Sequence, residues 1–407
     1  MKFIWGLGLI LATCSFAQAL VLEKEYLSGP EVCAHHQEER SEEHGLWVQV
    51  PLDYSQPQKG TTLLYAWTKG PFNPEKKTVI FVSGGPGESA HGTSLSLDNW
   101  NIVFFDQRGV ACSRPETRER YLSKDFYSSE STARDIDEIR KALQLSTISI
   151  YGVSYGTIPA HMYAFLFPQF TRSLVLEGVI AKSDAPTLIE NSRRRKMLQK
   201  FFNSLPANYQ ERILELNQMQ EVSPTWFSNV GKMMFYLDDP TEVFGQFLDN
   251  VLWDDETILN LIASFQDKEP VDIEYTSNNV AMGMLSCQEL GMNTRTSFYS
   301  VFAESRLIPY QDDFLQTNFC TSLGFATNEP MRVFDVKDYP LQVPVTYFQG
   351  FQDGATSADQ ALRSFKIAAR GKAQLILAKK GGHSPLDRKS TRLNSSHTDI
   401  SRMPSSA

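Results

Sequence analysis

The sequence predicts an α/β protein, with a mostly parallel β-sheet and helices on both of its faces. Short, continuous apolar runs such as Lys77–Val82 and Asn101–Phe105 are typical of strands that are buried on both faces of a sheet. These runs alternate with segments of helical periodicity, as a parallel sheet requires. The chain has 407 residues, 42% of them hydrophobic and 21% charged, and can therefore bury a large core.

The first half of the chain supplies most of the other elements. Two segments rich in β-forming residues, separated by a turn-rich stretch at 53–57, predict an opening antiparallel pair. Apolar residues on one face then predict an amphipathic helix, and two further strands flank a second helix. These elements are, in order, strands over Leu46–Val50 and Thr62–Thr68, a helix over Ser131–Leu143, a strand over Thr147–Tyr151, a helix over Thr157–Phe167 and a strand over Ser173–Leu176.

The pattern changes after about residue 180. Residues 185–335 are helical in character and contain no buried-strand run, which predicts a helical cap inserted before the last strands. The α/β pattern then returns with a strand over Val343–Gln349, a helix over Ser357–Arg370 and a last strand over Ala373–Ala378. The predicted core therefore comprises residues 20–184 and 336–387, on either side of the cap.

Both ends of the chain differ from the part that we expect to fold. Lys2, the apolar run Phe3–Phe16 and the small-residue pattern Ala17-Gln18-Ala19 predict a signal peptide over residues 1–19, too short for a stable membrane span. A lipoprotein anchored through Cys14 is the alternative. Residues 388–407 lack apolar periodicity and are rich in Ser, Thr and Arg, so we expect a non-native tail there. The expected location is periplasmic or extracellular.

The number of cysteines predicts disulfide bonds, and the net charge excludes some classes of partner. Four cysteines remain after the predicted cleavage, and an even set in an exported chain predicts two disulfides. Three connectivities are possible, and we favour the one in which each pair lies within one region of the chain: Cys33–Cys112 and Cys287–Cys320. The formal net charge of −8 argues against nucleic acid or an anionic membrane as a partner.

A Gly-x-Ser-x-Gly motif, with Ser154 at its centre, lies between a predicted strand and a predicted helix. In that context the motif is typical of the α/β-hydrolase fold, in which a sharp strand-to-helix turn exposes the serine hydroxyl above the sheet. Side chains at Gly152 and Gly156 would clash in so tight a turn. Ser154 is therefore the predicted nucleophile, and a glycine-rich turn without a chemical role is the alternative.

The serine needs a base, and the fold places an acid and then a histidine after the serine along the chain. Of the seven histidines, His383 alone stands just after a C-terminal strand. Asp353 follows the strand before that one and is the predicted acid, which would hold the imidazole in the correct tautomer. Asp359 is the alternative acid, although its position suits an ordinary residue at the start of a helix.

Acyl transfer also needs backbone N–H donors for the negative oxygen of the tetrahedral intermediate. In this fold one donor is the residue after the nucleophile, here Tyr155, and the other lies in the loop after an early strand. Gly84-Gly85-Pro86-Gly87 occupies that loop. Because Pro86 has no N–H, Gly85 is the predicted second donor, unless these glycines only form a turn.

Three motifs occur together in one order and spacing: Gly84–Gly87, Asp106–Gly109 with Ser113-Arg114-Pro115, and Gly152–Gly156. Together they resemble the proline iminopeptidase and tripeptidyl aminopeptidase family of serine peptidases. Val50–Tyr54 and Cys287-Gln288-Glu289 resemble its exported, tripeptidyl-type branch. The resemblance covers about residues 33–386 and is weakest in the predicted cap.

The resemblance implies a serine hydrolase that releases a residue or a short peptide from a free N-terminus through an acyl-enzyme, without a metal or organic cofactor. Such enzymes hold the substrate ammonium with acidic groups in or beside the cap, and Glu289 and Glu177 are the matching positions. The structural alternatives are a surface location for Glu289 and an ion pair with Arg108 for Glu177. Ser83 stands where single-residue iminopeptidases usually have His, which favours the tripeptidyl-type branch.

Two other function classes stay open. An esterase or another small-molecule hydrolase could use the same triad, because one scaffold hosts many substrates. A non-catalytic binding protein that kept the fold is the third reading, and a complete triad argues against it. Whether the protein is a peptidase or an esterase, the expected partner is a peptide or another small-molecule substrate. The sequence leaves the oligomeric state open.

Overall fold

The structure is a computed structural model, and its described part is discontinuous. The predicted signal peptide, Cys14 and most of the predicted tail lie outside this part. The described residues are 26–93, 95–183, 192–219, 226–234, 236–237, 239–266, 279–291, 293, 300–301, 309–310, 320–321, 323–326, 329, 331–383 and 400–402.

Within the described residues, nine strands form one sheet. The strands are β1 (His44–Pro51), β2 (Thr61–Thr68), β3 (Lys77–Val82), β4 (Trp100–Phe105), β5 (Ile148–Val153), β6 (Thr171–Glu177), β9 (Val345–Gly350), β10 (Ala373–Ala378) and β11 (Ile400–Arg402). Their order across the sheet is β1-β2-β4-β3-β5-β6-β9-β10-β11. The pairs β1–β2, β2–β4 and β10–β11 are antiparallel, and every other neighbouring pair is parallel. The predicted mostly parallel sheet is therefore confirmed.

Eleven helices are found in the same part of the chain. They are α1 (Gly29–His35), α2 (Arg118–Tyr121), α3 (Ser129–Ala142), α4 (Thr157–Leu166), α5 (Ser192–Ser204), α6 (Ala207–Leu216), α7 (Trp226–Met234), α8 (Pro240–Val251), α9 (Asp255–Gln266), α10 (Asn279–Glu289) and α11 (Ala358–Ile367). Helix α3 begins two residues before its predicted start, because the Ser128 hydroxyl accepts a hydrogen bond from the Ser131 N–H at 3.0 Å and caps the first turn.

The central strands bury both of their faces. Strand β5 carries buried residues from Ile148 through Gly152, and β3 is buried from Thr78 to Val82. Continuous burial explains why the sequence of β3 is an apolar run without alternation. Because β3, β5, β6, β9 and β10 run parallel, their carboxyl ends meet at one edge of the sheet, where ligands bind in open α/β sheets.

The described residues between β6 and β9 are mainly helical, as they include α5 to α10. They also contain a short antiparallel pair, β7 (Ser300–Val301) and β8 (Pro309–Tyr310). Apolar side chains of α5 to α9 form a buried cluster of their own, which includes Phe202, Trp226 and Phe244. A helical cap with the boundaries 185–335 stays a prediction.

The two disulfides are the favoured pairs. Cys33 of α1 bonds to Cys112, with their Cα atoms 5.1 Å apart, and Cys287 of α10 bonds to Cys320, with their Cα atoms 5.7 Å apart. The first bond attaches α1 to the segment that follows β4. The second closes a loop within the helical region.

Two features bear on the chain ends and on membranes. Strand β11, in the segment predicted as a non-native tail, pairs with β10 through residues Ile376 to Ala378.

The described helices include none that is long and apolar enough to cross a membrane.

Candidate active site

Ser154 lies in a sharp turn between β5 and α4. Its backbone has a φ of 54°, in the left-handed region that a residue other than glycine adopts only under constraint. A Cβ on Gly152 would lie 2.5 Å from the Gly156 carbonyl oxygen, and one on Gly156 would lie 2.3 Å from the Val82 oxygen. Only glycine fits at either position. The turn thus holds Ser154 at the carboxyl end of β5, as predicted.

His383 and Asp353 form a buried pair after the last two parallel strands. The imidazole Nδ1 lies 3.0 Å from Asp353 Oδ2 and 3.1 Å from Oδ1. The side chain of Asp353 is fully buried. Burial lowers the pKa of His383, but the negative charge and hydrogen bond of Asp353 outweigh it, so the pKa is raised above 6.5. The alternative acid, Asp359, is instead exposed in the first turn of α11.

Asp353 is itself held by donors that the sequence analysis missed. Its carboxylate accepts hydrogen bonds from the Ala355 N–H at 2.7 Å, the Thr356 N–H at 2.8 Å, the Thr356 hydroxyl at 2.9 Å and the Gln349 amide at 2.7 Å. The Thr356 hydroxyl also lies 3.4 Å from His383 Nδ1. These contacts leave the carboxylate little freedom to rotate. A hydroxyl residue three positions after the acid is the signal that could have identified Thr356.

The imidazole of His383 packs against the end of β6. A Cβ on Gly178 would lie 3.0 Å from His383 Cε1, and Gly178 has a φ of +61°, so this position requires glycine. The ring also makes an edge contact with Tyr236, with centroids 5.0 Å apart. Strand β6 is the direct neighbour of β5, where Val153 pairs with Glu177. Although His383 follows β10, its imidazole therefore packs beside the end of β6, the strand next to the one that ends just before Ser154.

The loop after β3 approaches Ser154 closely. A Cβ on Gly84 would lie 2.9 Å from Ser154 Cβ, so only glycine allows this approach. Gly85 has a φ of +97° and precedes Pro86 through a cis peptide bond. The Gln107 amide donates to the Ser83 carbonyl at 2.9 Å and holds the loop in place. The structure thus brings the loop with Gly85 to the same turn as Ser154 and Tyr155.

Glu289 is buried rather than on the surface. Its carboxylate accepts from the Ser129 N–H at 3.1 and 3.3 Å and from the Ser129 hydroxyl at 2.5 Å. The Ser129 hydroxyl in turn lies 2.8 Å from the hydroxyl of Tyr155. Burial raises the pKa of Glu289 despite these bonds. The end of α10 is thereby joined to the first turn of α3 and to the residue after Ser154.

Glu177 is fully buried at the end of β6, where it accepts a hydrogen bond from the Tyr151 hydroxyl. Its negative charge contributes to the raised pKa of His383. The alternative of an ion pair with Arg108 is wrong. Arg108 donates to both carboxylate oxygens of Asp135, at 2.6 and 2.8 Å, because that carboxylate lies on α3 directly opposite the guanidinium.

The geometry suits acyl transfer: a half-buried serine in a sharp turn, a histidine oriented by a buried carboxylate, and a glycine loop beside the serine. A mostly parallel sheet that carries these groups in the chain order serine, acid, histidine decides the fold. The chain has the α/β-hydrolase fold. Within the described residues, no group of three or more His, Cys, Asp or Glu side chains is placed to hold a metal ion.

Sequence comparisons agree with this hydrolase fold. Residues 77–218 match the family model described as the alpha/beta hydrolase fold. Serine protease Hip1 of Mycobacterium tuberculosis is 28% identical over 209 residues, which cover 39% of this chain and 40% of that protein. A proline iminopeptidase of Neisseria meningitidis is 28% identical over 152 residues, 35% of this chain and 47% of that protein. The predicted resemblance to proline iminopeptidases and related serine proteases is confirmed.

These sequence matches cover only part of each relative. The chain spans less than half the length of the curated relatives that it matches. Among solved structures, a proline iminopeptidase-related protein from Thermus thermophilus superposes with a TM-score of 0.39 and 14% identity, over 84% of this chain and 91% of that one. The hydrolase fold rests on the sheet topology and on the family match over residues 77–218.

Proposed function

We propose that the protein is a serine-type aminopeptidase, which releases a residue or a short peptide from a free N-terminus through an acyl-enzyme. The observation that carries the proposal is the strained turn at Ser154 at the same edge of the sheet as His383, whose Nδ1 lies 3.0 Å from Asp353 Oδ2 and whose ring packs beside the end of β6. The peptidase relatives favour an amide substrate over other acyl compounds.

The proposed reaction runs in two halves. His383 takes the proton of the Ser154 hydroxyl through Nε2, while Nδ1–H stays bonded to Asp353. Ser154 Oγ attacks the scissile carbonyl carbon, and the N–H groups of Gly85 and Tyr155 stabilise the oxyanion. His383 then protonates the leaving amine, the C–N bond breaks, and a water molecule hydrolyses the ester by the same steps.

Three substrates and one variant test this function. They are a free-amine aminoacyl or tripeptidyl anilide, its N-acetylated form and a short-chain ester, each assayed with the wild type and with Ser154→Ala. The proposal predicts turnover of the free-amine anilides only, and complete loss of turnover in Ser154→Ala with the fold retained. Near-normal activity of Ser154→Ala would contradict the mechanism.

The second candidate, an esterase or other small-molecule hydrolase, uses the same residues. Cleavage of the ester alone, or equal cleavage of free and acetylated anilides, would favour it. Failure of the wild type to react with a fluorophosphonate probe would instead favour the third reading, a binding protein without catalysis. An exported location stays a proposal, supported by the two disulfides, which form in oxidising compartments.

A further inference from the structure

One acidic residue of the site belongs to neither the predicted triad nor the predicted ammonium-binding pair. Glu88 directly follows the glycine loop after β3. The hydroxyl of Ser83 donates to the Glu88 carbonyl oxygen at 2.7 Å and so closes the loop on itself. The loop is also bonded to Gln107 through the Ser83 carbonyl. The backbone that carries Glu88 is therefore fixed beside the turn of Ser154.

The side chain of Glu88 lies close to the reacting groups. The position of a Cβ on Gly84 is 3.6 Å from Glu88 Oε2 and 2.9 Å from Ser154 Cβ, so the carboxyl and the serine lie within reach of one point. Glu88 and His383 are near enough for the charge of each to shift the pKa of the other. The carboxyl thus borders the space that a scissile bond would occupy.

Apart from its interaction with the charge of His383, no hydrogen bond or ion pair within the described residues holds the Glu88 carboxyl, whereas the carboxylates of Glu289 and Asp353 are each held by donors. Burial raises the pKa of Glu88. An ionised carboxyl that is partly removed from water is costly without a counter-charge. A cation bound beside Ser154 would supply that charge.

We propose that Glu88 binds the α-ammonium group of the N-terminal residue whose acyl group is transferred to Ser154, and that the enzyme therefore releases one residue at a time. This inference rests on the proposed aminopeptidase function. In a substrate attacked by Ser154, the α-amine of that residue is attached to the carbon next to the scissile carbonyl. Each further residue would move a terminal amine away by about 3.3–3.6 Å, so a tripeptide amine would lie roughly 7 Å beyond Glu88.

The location of Glu289 supports the same choice. Its carboxylate is occupied by the N–H and hydroxyl of Ser129, at distances between 2.5 and 3.3 Å. A substrate ammonium would have to displace these bonds. Glu88 requires no such exchange, because its carboxyl already lacks a bonded partner in the described structure.

The test compares Glu88→Gln with the wild type on alanine p-nitroanilide, its N-acetyl form and trialanine p-nitroanilide. The measured quantity is the ratio of kcat/KM for the free single-residue anilide to that for the acetylated one. A charge-assisted hydrogen bond predicts that Glu88→Gln lowers this ratio about 10- to 100-fold, mainly through KM. Glu88→Asp, which keeps the charge, is expected to restore part of it.

Glu75→Gln is the matched control, because Glu75 is exposed in the turn before β3 and its loss should leave the ratio unchanged. The wild type should also cleave the single-residue anilide faster than the trialanine one. An unchanged ratio in Glu88→Gln, equal slowing of free and acetylated substrates, or preference of the wild type for trialanine would overturn the inference while leaving the aminopeptidase function in place. A wild type that ignores acetylation would overturn the function itself.

Discussion

Replacement of Glu289 separates a structural role from a substrate-binding one. In Glu289→Leu, the Ser129 N–H at the start of α3 loses its acceptor, and the Ser129 hydroxyl loses a bond of 2.5 Å. An unsatisfied buried donor costs about 1–3 kcal/mol, and loss of a side-chain acceptor at a helix N-terminus costs about 1 kcal/mol. We therefore expect Glu289→Leu to lower the free energy of unfolding by about 2–4 kcal/mol.

Glu289→Gln is the matched variant. Its amide oxygen can still accept from the Ser129 N–H, and the Ser129 hydroxyl can reverse direction and donate to Tyr155, so we expect a loss within about 1 kcal/mol. The raised pKa of Glu289 adds a pH dependence. Because the folded state holds this proton more tightly than the unfolded state, stability is greatest below the ordinary value of 4.5 and is lost as the pH rises through the raised pKa.

The assay is urea unfolding of wild type, Glu289→Leu and Glu289→Gln, followed by fluorescence at several pH values, with kcat/KM on free and acetylated anilides measured alongside. As the pH rises through the raised pKa of Glu289, the free energy of unfolding of the wild type should fall relative to that of Glu289→Gln. A cost of Glu289→Leu below about 0.5 kcal/mol would refute the structural role. A large fall in free-amine preference in Glu289→Gln would instead restore Glu289 as the ammonium-binding residue.

Three further outcomes follow from the site. Activity should fall with decreasing pH, with a midpoint above 6.5, since His383 must be neutral to act as base. Asp353→Asn should lower kcat about 10⁴-fold and shift the midpoint of this pH profile to lower pH. An unchanged midpoint would contradict the pairing of Asp353 with His383. Thr356→Val should lower kcat/KM roughly 5- to 10-fold and raise the midpoint, with recovery in Thr356→Ser; a stability change alone would make its role purely structural. Replacing Cys33 and Cys112 together by Ala should lower the free energy of unfolding by about 2–5 kcal/mol, measured with urea, and an unchanged midpoint would argue against this bond.

The sheet and its strand ends were predictable because their signals are local. Buried parallel strands read as apolar runs, and β3 and β10 have the predicted ends, Lys77–Val82 and Ala373–Ala378. Strand β5 continues two residues beyond its predicted end, to Val153, because Gly152 stays extended and paired with β3 and β6. Because glycine has no side chain, Gly152 adds nothing to the pattern of apolar residues from which the end of β5 could be predicted.

The partners of buried charges were less predictable. Arg108 was assigned to Glu177 as an alternative, and it pairs with Asp135. Asp135 lies on the face of α3 that turns towards the sheet, and the sequence shows only that this residue is on a helix. Which carboxylate meets a buried guanidinium depends on how the helix rotates about its axis, and that is set by packing of the whole layer rather than by any local motif.

The two candidates for binding the substrate ammonium, Glu88 and Glu289, differ in how far the topology of the sheet fixes their positions. Topology gathers Gly84, Ser154, Glu177, Asp353 and His383 at one edge of the sheet, because each follows or ends a parallel strand. The loop that carries Glu88 belongs to this set, so its place beside Ser154 is fixed by the fold. Glu289 comes from a helix outside the sheet, and its distance from Ser154 depends on how α10 packs. In this structure the Glu289 carboxylate is bonded to Ser129 at the start of α3, whereas no hydrogen bond or ion pair within the described residues holds the carboxyl of Glu88, the group that we propose binds a substrate cation.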